Sequence, residues 1–298
     1  MEQRPDADAR RRTVDLSGPV HYLDFGGTGR PIVLVHGLGG SSVNWLGVGS
    51  RLSALGRVVA IDLAGHGRTL SLGRSTRVSA NRALLSRFLA EVAREPAVVM
   101  GNSMGGYLSI AQAAAEPATV RALVLVSPAS PRPPGTKLDA RVVTLFAGLM
   151  APFVASLIMV RRARRGPEQR VRDLLKLCTV KLDRIRPDLL EAHIAMARER
   201  EKYGAVARHD FIAAARSLMT VLIRGDRYLE MVRRVSAPTL LINGTRDRLV
   251  PIASARALAA ARPDWKFAPL EDMGHVPQLE CPDEFMAIVE PWLKPLLA

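Results

Sequence analysis

The chain has 298 residues, 48% hydrophobic and 23% charged, which is enough apolar material for one large domain and excludes a mainly disordered chain. Its 42 Lys and Arg against 28 Asp and Glu give a net charge of +14, yet aromatic residues are only 5% and no nucleic-acid motif accompanies the basic residues. Residues 131–235 hold 22 Lys and Arg against 11 Asp and Glu, so most of the excess is a solvated helical surface or a face for anionic membrane, with nucleic acid a distant third.

In chain order, Met1–Arg12 is polar and ends in Arg10-Arg11-Arg12. No apolar stretch follows it, so a cleaved secretory signal is not expected and a cytoplasmic location is the reading. Short β-branched runs then alternate with helical stretches, the pattern of a mostly parallel sheet covered by helices. Strands are predicted at Val20–Phe25, Ile32–Val35, Val58–Ile61, Val98–Met100 and Leu123–Val126. Pro128, Pro131, Pro133, Pro134 and Gly135 break the chain after the fifth.

From Asp139 to Val235 only helical periodicity is found. Val171, Leu174, Leu175, Cys178 and Leu182 share one face; Leu189, Leu190, His193, Ile194 and Ala197 share another. Pro167 and Pro187 suit the first turns of helices. Within this segment Val142–Val160 carries no charge and Arg161-Arg162-Ala163-Arg164-Arg165 follows it. As one helix it would be about 28 Å long, close to a bilayer core. A span there would split one sheet across a membrane, so a buried or substrate-lining helix is expected, and an interfacial one next. Strands resume at Thr239–Ile242 and Lys266–Leu270, and a helix over Pro282–Leu297 closes the chain.

Gly101-Asn102-Ser103-Met104-Gly105-Gly106 follows the apolar run Ala97–Met100 and precedes a helix beginning near Tyr107. A serine in so tight a strand–helix turn is exposed for attack, with the helix N-terminus aimed at a developing oxyanion. Serine needs an imidazole as base and a carboxylate to orient it. His275 lies in a loop after the last predicted strand, and Asp247 after the strand that follows the helical segment. The order Ser103, Asp247, His275 is that of serine enzymes on open α/β sheets, whose sites lie at C-terminal strand ends. The oxyanion donors are expected to be the amides of Met104 and of Leu38, within His36-Gly37-Leu38-Gly39-Gly40.

His36 is read as fixing that loop, Asp62 as stabilising a turn, His66 as a loop residue and His193 as core or pocket wall. His21 and His209 have no partner that the sequence names. Ser41, Ser42, Asn44 and Trp45 follow the oxyanion loop; Gly37, Trp45 and Val276 are the expected substrate contacts. Cys178 and Cys281 give neither a disulfide framework nor metal-ligand spacing, and no cofactor or metal is expected.

These segments resemble the α/β-hydrolase superfamily over nearly the whole chain. Asp62-Leu63-Ala64-Gly65-His66-Gly67 is similar to the turn after its third core strand. Gly244-Thr245-Arg246-Asp247 with Val250-Pro251 resembles its acid loop, and Gly274-His275-Val276-Pro277 with Glu280, Pro282 and Phe285 its histidine loop and closing helix. The resemblance implies a mostly parallel, eight-stranded-type sheet flanked by helices, built from residues 1–130 and 236–298, with residues 131–235 inserted as an all-helical cap.

The triad and the resemblance together imply a cofactor-free serine hydrolase cleaving a carboxylic ester through an acyl-enzyme, and the uncharged Val142–Val160 run alone suggests that the acyl group is apolar. Serine at position 103 excludes the aspartate-nucleophile chemistry of the dehalogenases and epoxide hydrolases. The Gly-Asn-Ser-Met-Gly-Gly spelling is similar to that of hydrolases cleaving carbon–carbon bonds in ring-opened aromatic diketones. Those typically carry proline in the oxyanion loop and tryptophan after the histidine, where this chain has Gly40 and Val276. Carbon–carbon hydrolysis, perhydrolysis and acyl transfer on the same triad are the alternatives, with a non-catalytic binding protein behind them. The expected partner is a small, apolar molecule, with peripheral membrane contact through the cap as a separate expectation.

Overall fold

In the computed structural model, which describes residues 9–137 and 139–298, the apolar runs pair into one eight-stranded sheet. Its strands are β1 (Arg10–Asp15), β2 (Pro19–Gly26), β3 (Pro31–Val35), β4 (Arg57–Ile61), β5 (Ala97–Asn102), β6 (Val120–Val126), β7 (Thr239–Gly244) and β8 (Lys266–Leu270). Their spatial order is β1-β2-β4-β3-β5-β6-β7-β8. The first two ladders, β1 with β2 and β2 with β4, are antiparallel, and the other five are parallel. All seven expected strands are present. The additional one, β1, opens within the stretch expected to be merely polar; residues 1–8 of that stretch lie outside the described residues.

Helices α1 (Leu46–Leu52), α2 (Val78–Phe88) and α3 (Met104–Ala115) follow β3, β4 and β5 in turn. Between β6 and β7 lie α4 (Ala140–Met150), α5 (Pro152–Ala163), α6 (Gly166–Cys178), α7 (Pro187–Arg200), α8 (Gly204–Ile223) and α9 (Gly225–Arg233). The chain ends with α10 (Ile252–Ala261), the single turn α11 (Pro277–Glu280) and α12 (Pro282–Leu297). Two-residue periodicity divides the core between the sheet faces. Val33, Val35 and Val99 pack with α2 and α3, whereas Ile32, Leu34, Val98 and Met100 pack with α1 and α12.

The uncharged run Val142–Val160 is not one helix. Ala151, the residue before Pro152, takes extended angles (φ −82°, ψ 122°), as residues preceding proline do, and α4 and α5 meet at 120°. Among the described residues no single helix is long and apolar enough to cross a membrane. Pro167 and Pro187 stand in the first turns of α6 and α7, where a missing N–H is harmless.

Candidate active site

Ser103 sits where β5 turns into α3, at φ 55° and ψ −118°, a left-handed conformation that a non-glycine residue holds only when its surroundings impose it. They do. The Ser103 amide donates to the Val126 carbonyl at 3.0 Å, and its carbonyl accepts from Ala129 and Tyr107 at 2.9 and 3.1 Å. A Cβ on Gly101 would come within 2.4 Å of the Gly105 carbonyl oxygen, and one on Gly105 within 2.2 Å of that of Val35. Both positions therefore require glycine, as the sequence pattern anticipated.

The loop after β3 lies against this turn, since a Cβ on Gly37 would stand 3.0 Å from that of Ser103. Buried His36 pins the loop. Its Nδ1 donates to the Gly37 carbonyl at 2.7 Å and its Nε2 accepts the Leu63 amide at 3.1 Å. That leaves no proton to add without breaking a bond, and burial lowers its pKa to about 4. Asp62 anchors the next stretch by accepting the amides of Ser42 and Arg68 at 2.7 and 2.8 Å, with burial raising its pKa. The loop-fixing reading of His36 and the turn-stabilising reading of Asp62 agree with these bonds.

Asp247 and His275 meet on the far side. The Asp247 carboxylate is fully buried: Oδ1 accepts the Leu249 and Val250 amides at 2.8 and 2.9 Å, and Oδ2 accepts His275 Nδ1 at 2.8 Å. The same bonds fix the ring's tautomer, leaving Nε2 as the basic nitrogen. The histidine loop is itself held at three points. Asn102 donates to the His275 carbonyl at 3.0 Å, the His275 amide donates to Cys178 at 2.6 Å, and Glu280 accepts the Gly274 amide at 2.9 Å. Through its other oxygen Glu280 accepts Val180 at 2.8 Å, so one buried carboxylate joins the histidine loop to the segment after α6.

Ser103 and His275 open on one cavity of about 1080 Å³, roofed by α4–α8. Leu38, Leu149, Met159, Met196, Phe211 and Val276 give it apolar walls. Arg200 closes one side by donating to the carbonyls of Gly65 and Gly67. His193 lines the cavity with Nδ1 tied to the Leu189 carbonyl at 2.8 Å, and burial lowers its pKa. Cys178 also lines it, but burial foremost, with Asp247 and Glu280 adding to it, pushes the thiol up to about 12, so at neutral pH it offers no thiolate. Gly40 is confined: a Cβ there would stand 2.8 Å from the Asn44 side-chain oxygen, which accepts the Ser41 amide.

A family model described as the alpha/beta hydrolase family matches residues 32–288. The chain belongs to the alpha/beta hydrolase family. It is accordingly a hydrolase enzyme, and the relatives of this alpha/beta hydrolase show how widely reactions vary within that frame. It is 31% identical, over 87% of its length and 96% of the relative's, to the pimeloyl-[acyl-carrier protein] methyl ester esterase of Aromatoleum aromaticum. It is 28% identical, over 96% and 95%, to a 2-hydroxy-6-oxononadienedioate/2-hydroxy-6-oxononatrienedioate hydrolase of Pseudomonas putida. The crystal structure of the haloalkane dehalogenase DatA from Agrobacterium tumefaciens C58 superposes with a TM-score of 0.83, at 18% identity and 98% coverage of both chains, a likeness of fold.

One site expectation for this alpha/beta hydrolase changes. Trp45, expected to touch substrate, is 0% exposed, belongs to the core on the α1 and α12 side of the sheet, and does not line the cavity. The short helix Ser42–Trp45 buries all four of its residues, so nearness in sequence to the glycine-rich loop after β3 did not bring the indole to the pocket. His66 lies in the loop after β4, as read from the sequence, and there it is buried, lines the cavity, and lies 5.3 Å from the His36 ring. Burial, with the neighbouring His36 next, lowers its pKa to about 3. Gly37, Leu38 and Val276 line the cavity, and Met104 is buried at the first turn of α3. His21, for which no partner was named, bonds Thr13 at 3.0 Å, and exposed His209 stands 3.7 Å from Asp210. The bridging role of Glu280 and the approach of Phe211 to Gly39 in the loop after β3 were invisible, because both depend on how distant segments pack.

Proposed function

We propose that this hydrolase cleaves carboxylic esters of apolar acyl groups with Ser103 as nucleophile, His275 as general base and Asp247 as its orienting carboxylate. Residues 131–235 form the cap over the substrate cavity in this reading, with residues 1–130 and 236–298 as the catalytic core. Ser103 Oγ adds to the ester carbonyl while His275 Nε2 takes its proton, and the buried Asp247 carboxylate stabilises the imidazolium. The amides of Leu38 and Met104 receive the oxyanion. His275 then protonates the departing alcohol, and water activated by the same ring releases the acid from the acyl-enzyme.

The observation that carries this reading is the 2.8 Å bond between His275 and a fully buried Asp247, on the cavity that Ser103 lines. Among the described residues the Ser103 hydroxyl has no hydrogen-bond partner, so its contact with Nε2 is one the reacting complex completes. Apolar cavity walls support an apolar acyl group, and the Aromatoleum relative's name is that of a methyl ester esterase.

Carbon–carbon hydrolysis is the second reading, favoured by the Asn102-bearing elbow and the Pseudomonas relative's name. Here, however, Asn102 donates to the Val126 and His275 carbonyls, a framework role. A proline in place of Gly40 would lose the amide bond to the Gly37 carbonyl (3.1 Å) and bring a Cβ to 2.8 Å from the Asn44 side-chain oxygen. Steady-state turnover of nitrophenyl esters of increasing chain length, beside a ring-opened dienedioate, separates the two. Faster turnover of medium-chain esters supports ester hydrolysis; kcat/KM at least 100-fold higher for the dienedioate would overturn it.

A further inference from the structure

Helices α4 and α5 present two unlike faces. Toward the cavity they turn Leu145, Leu149 and Met159, with Ala155 fully buried beneath. Toward solvent they expose Phe153 (91%), Leu157 (57%), Val154 and Val160, which follow i, i+1, i+4 and i+7 along one side of α5. Val143 and Met150 of α4 are exposed as well, but they line the cavity and so stand at its mouth. The two helices are held together where Gly148 admits the Ile158 side chain, since a Cβ there would stand 2.3 Å from Ile158 Cδ1. A large aromatic side chain left nine-tenths in water at the crest of a hairpin, among exposed aliphatic neighbours, marks a contact surface.

Charge indicates what covers it. Residues 140–167 contain five arginines and no Asp or Glu. Arg161 and Arg164 are exposed at the end of α5, and neither forms an ion pair among the described residues. Arg165 pairs with Asp173 on α6 at 2.8 Å. An apolar crest bordered by unpaired arginines suits the interface of an anionic bilayer, where side chains such as Phe and Leu enter the acyl boundary and guanidinium groups meet lipid phosphates. We propose that the α4–α5 hairpin docks the enzyme on anionic phospholipid membrane. Because the opposite face of the same hairpin lines the cavity, docking places the cavity mouth beside the lipid phase in which apolar esters partition. Docking itself does not require the catalytic residues, and its substrate-delivery consequence rests on the ester reading.

The test is co-sedimentation of the full chain with vesicles of phosphatidylcholine containing about 30% phosphatidylglycerol, against pure phosphatidylcholine. Most of the wild-type protein pellets with the anionic vesicles at physiological salt and at least tenfold less with the neutral ones. Phe153→Asp with Leu157→Asp reduces binding at least tenfold while hydrolysis of a short, water-soluble ester stays unchanged. Arg161→Glu with Arg164→Glu abolishes the preference for anionic lipid, and Ser103→Ala binds like wild type even if the enzyme proves not to be an esterase. Wild-type protein remaining in the supernatant with both vesicles would overturn the proposal. So would a wild-type dimer that Phe153→Asp with Leu157→Asp converts to monomer, because the crest would then be covered by a second copy.

Discussion

The turn around Ser103 and the α4–α5 hairpin line the same cavity, but they are built by different physics. Around Ser103 nearly every backbone group has a directional partner, glycines stand where a Cβ would meet a carbonyl at 2.2–2.4 Å, and the carboxylate beneath His275 is fully buried. In the hairpin contacts are mostly apolar and nondirectional, and part of the apolar surface faces water. Under the proposed function, the sheet edge holds groups in fixed geometry for one reaction, whereas the helical roof sets which molecules reach them. Substitutions at the first should change rate, and at the second should change selectivity.

The largest expected effect breaks the first region outright: Ser103→Ala should lower ester kcat by roughly 10⁶-fold with an unchanged thermal midpoint. Asp247→Asn should cost about 10⁴-fold in kcat with little change in KM, since an amide at Oδ2 favours the wrong imidazole tautomer. A drop under tenfold in stopped kinetic assays would mean that Asp247 does not orient the base.

Gly105→Ala puts a methyl group 2.2 Å from the Val35 carbonyl oxygen, so urea unfolding should show a loss of about 3 kcal/mol or more, or no soluble folded protein. In the roof, Leu149→Ala should enlarge the cavity and move the preferred acyl chain length upward, with kcat on a short ester changed less than about threefold. An unchanged chain-length profile would show that the roof does not select.

Acid stability sharpens the contrast further. His36 and His66 have folded pKa values of about 4 and about 3, below the ordinary 6.5, because burial disfavours their charged forms. Above pH 6.5 both states are neutral and nothing is lost. As pH falls below 6.5 the unfolded chain takes up these protons first, so stability declines from pH 6.5 toward pH 3–4, by a few kcal/mol for the pair. His66→Gln should flatten part of that decline in thermal midpoints recorded from pH 7 to pH 4; an identical slope would remove His66 as a cause.

Much of the fold was legible because a parallel sheet buried on both faces writes itself as short β-branched runs. The strand β1 was not, since Arg10-Arg11-Arg12-Thr13-Val14-Asp15 is almost wholly exposed and becomes a strand only by pairing along β2. The serine turn could be read because its glycines answer local steric demands. Trp45 misled because burial in the core on the α1 and α12 side of the sheet, rather than its place in the loop, sets where the indole lies. Pro152 was visible in the uncharged run, and the residue before it could not stay helical, yet hydropathy alone suggested one long helix. The links from Glu280 to Val180 and from Arg200 to Gly65 join residues 100 and 135 positions apart, beyond any local signal.

Covalent labelling with a fluorophosphonate, followed by peptide mass mapping, bears most directly on the reaction centre. A single adduct on Ser103, absent in Ser103→Ala and formed at least 100-fold more slowly in His275→Ala, is the predicted result. Stoichiometric labelling of another residue, or a labelling rate indifferent to His275, would contradict it.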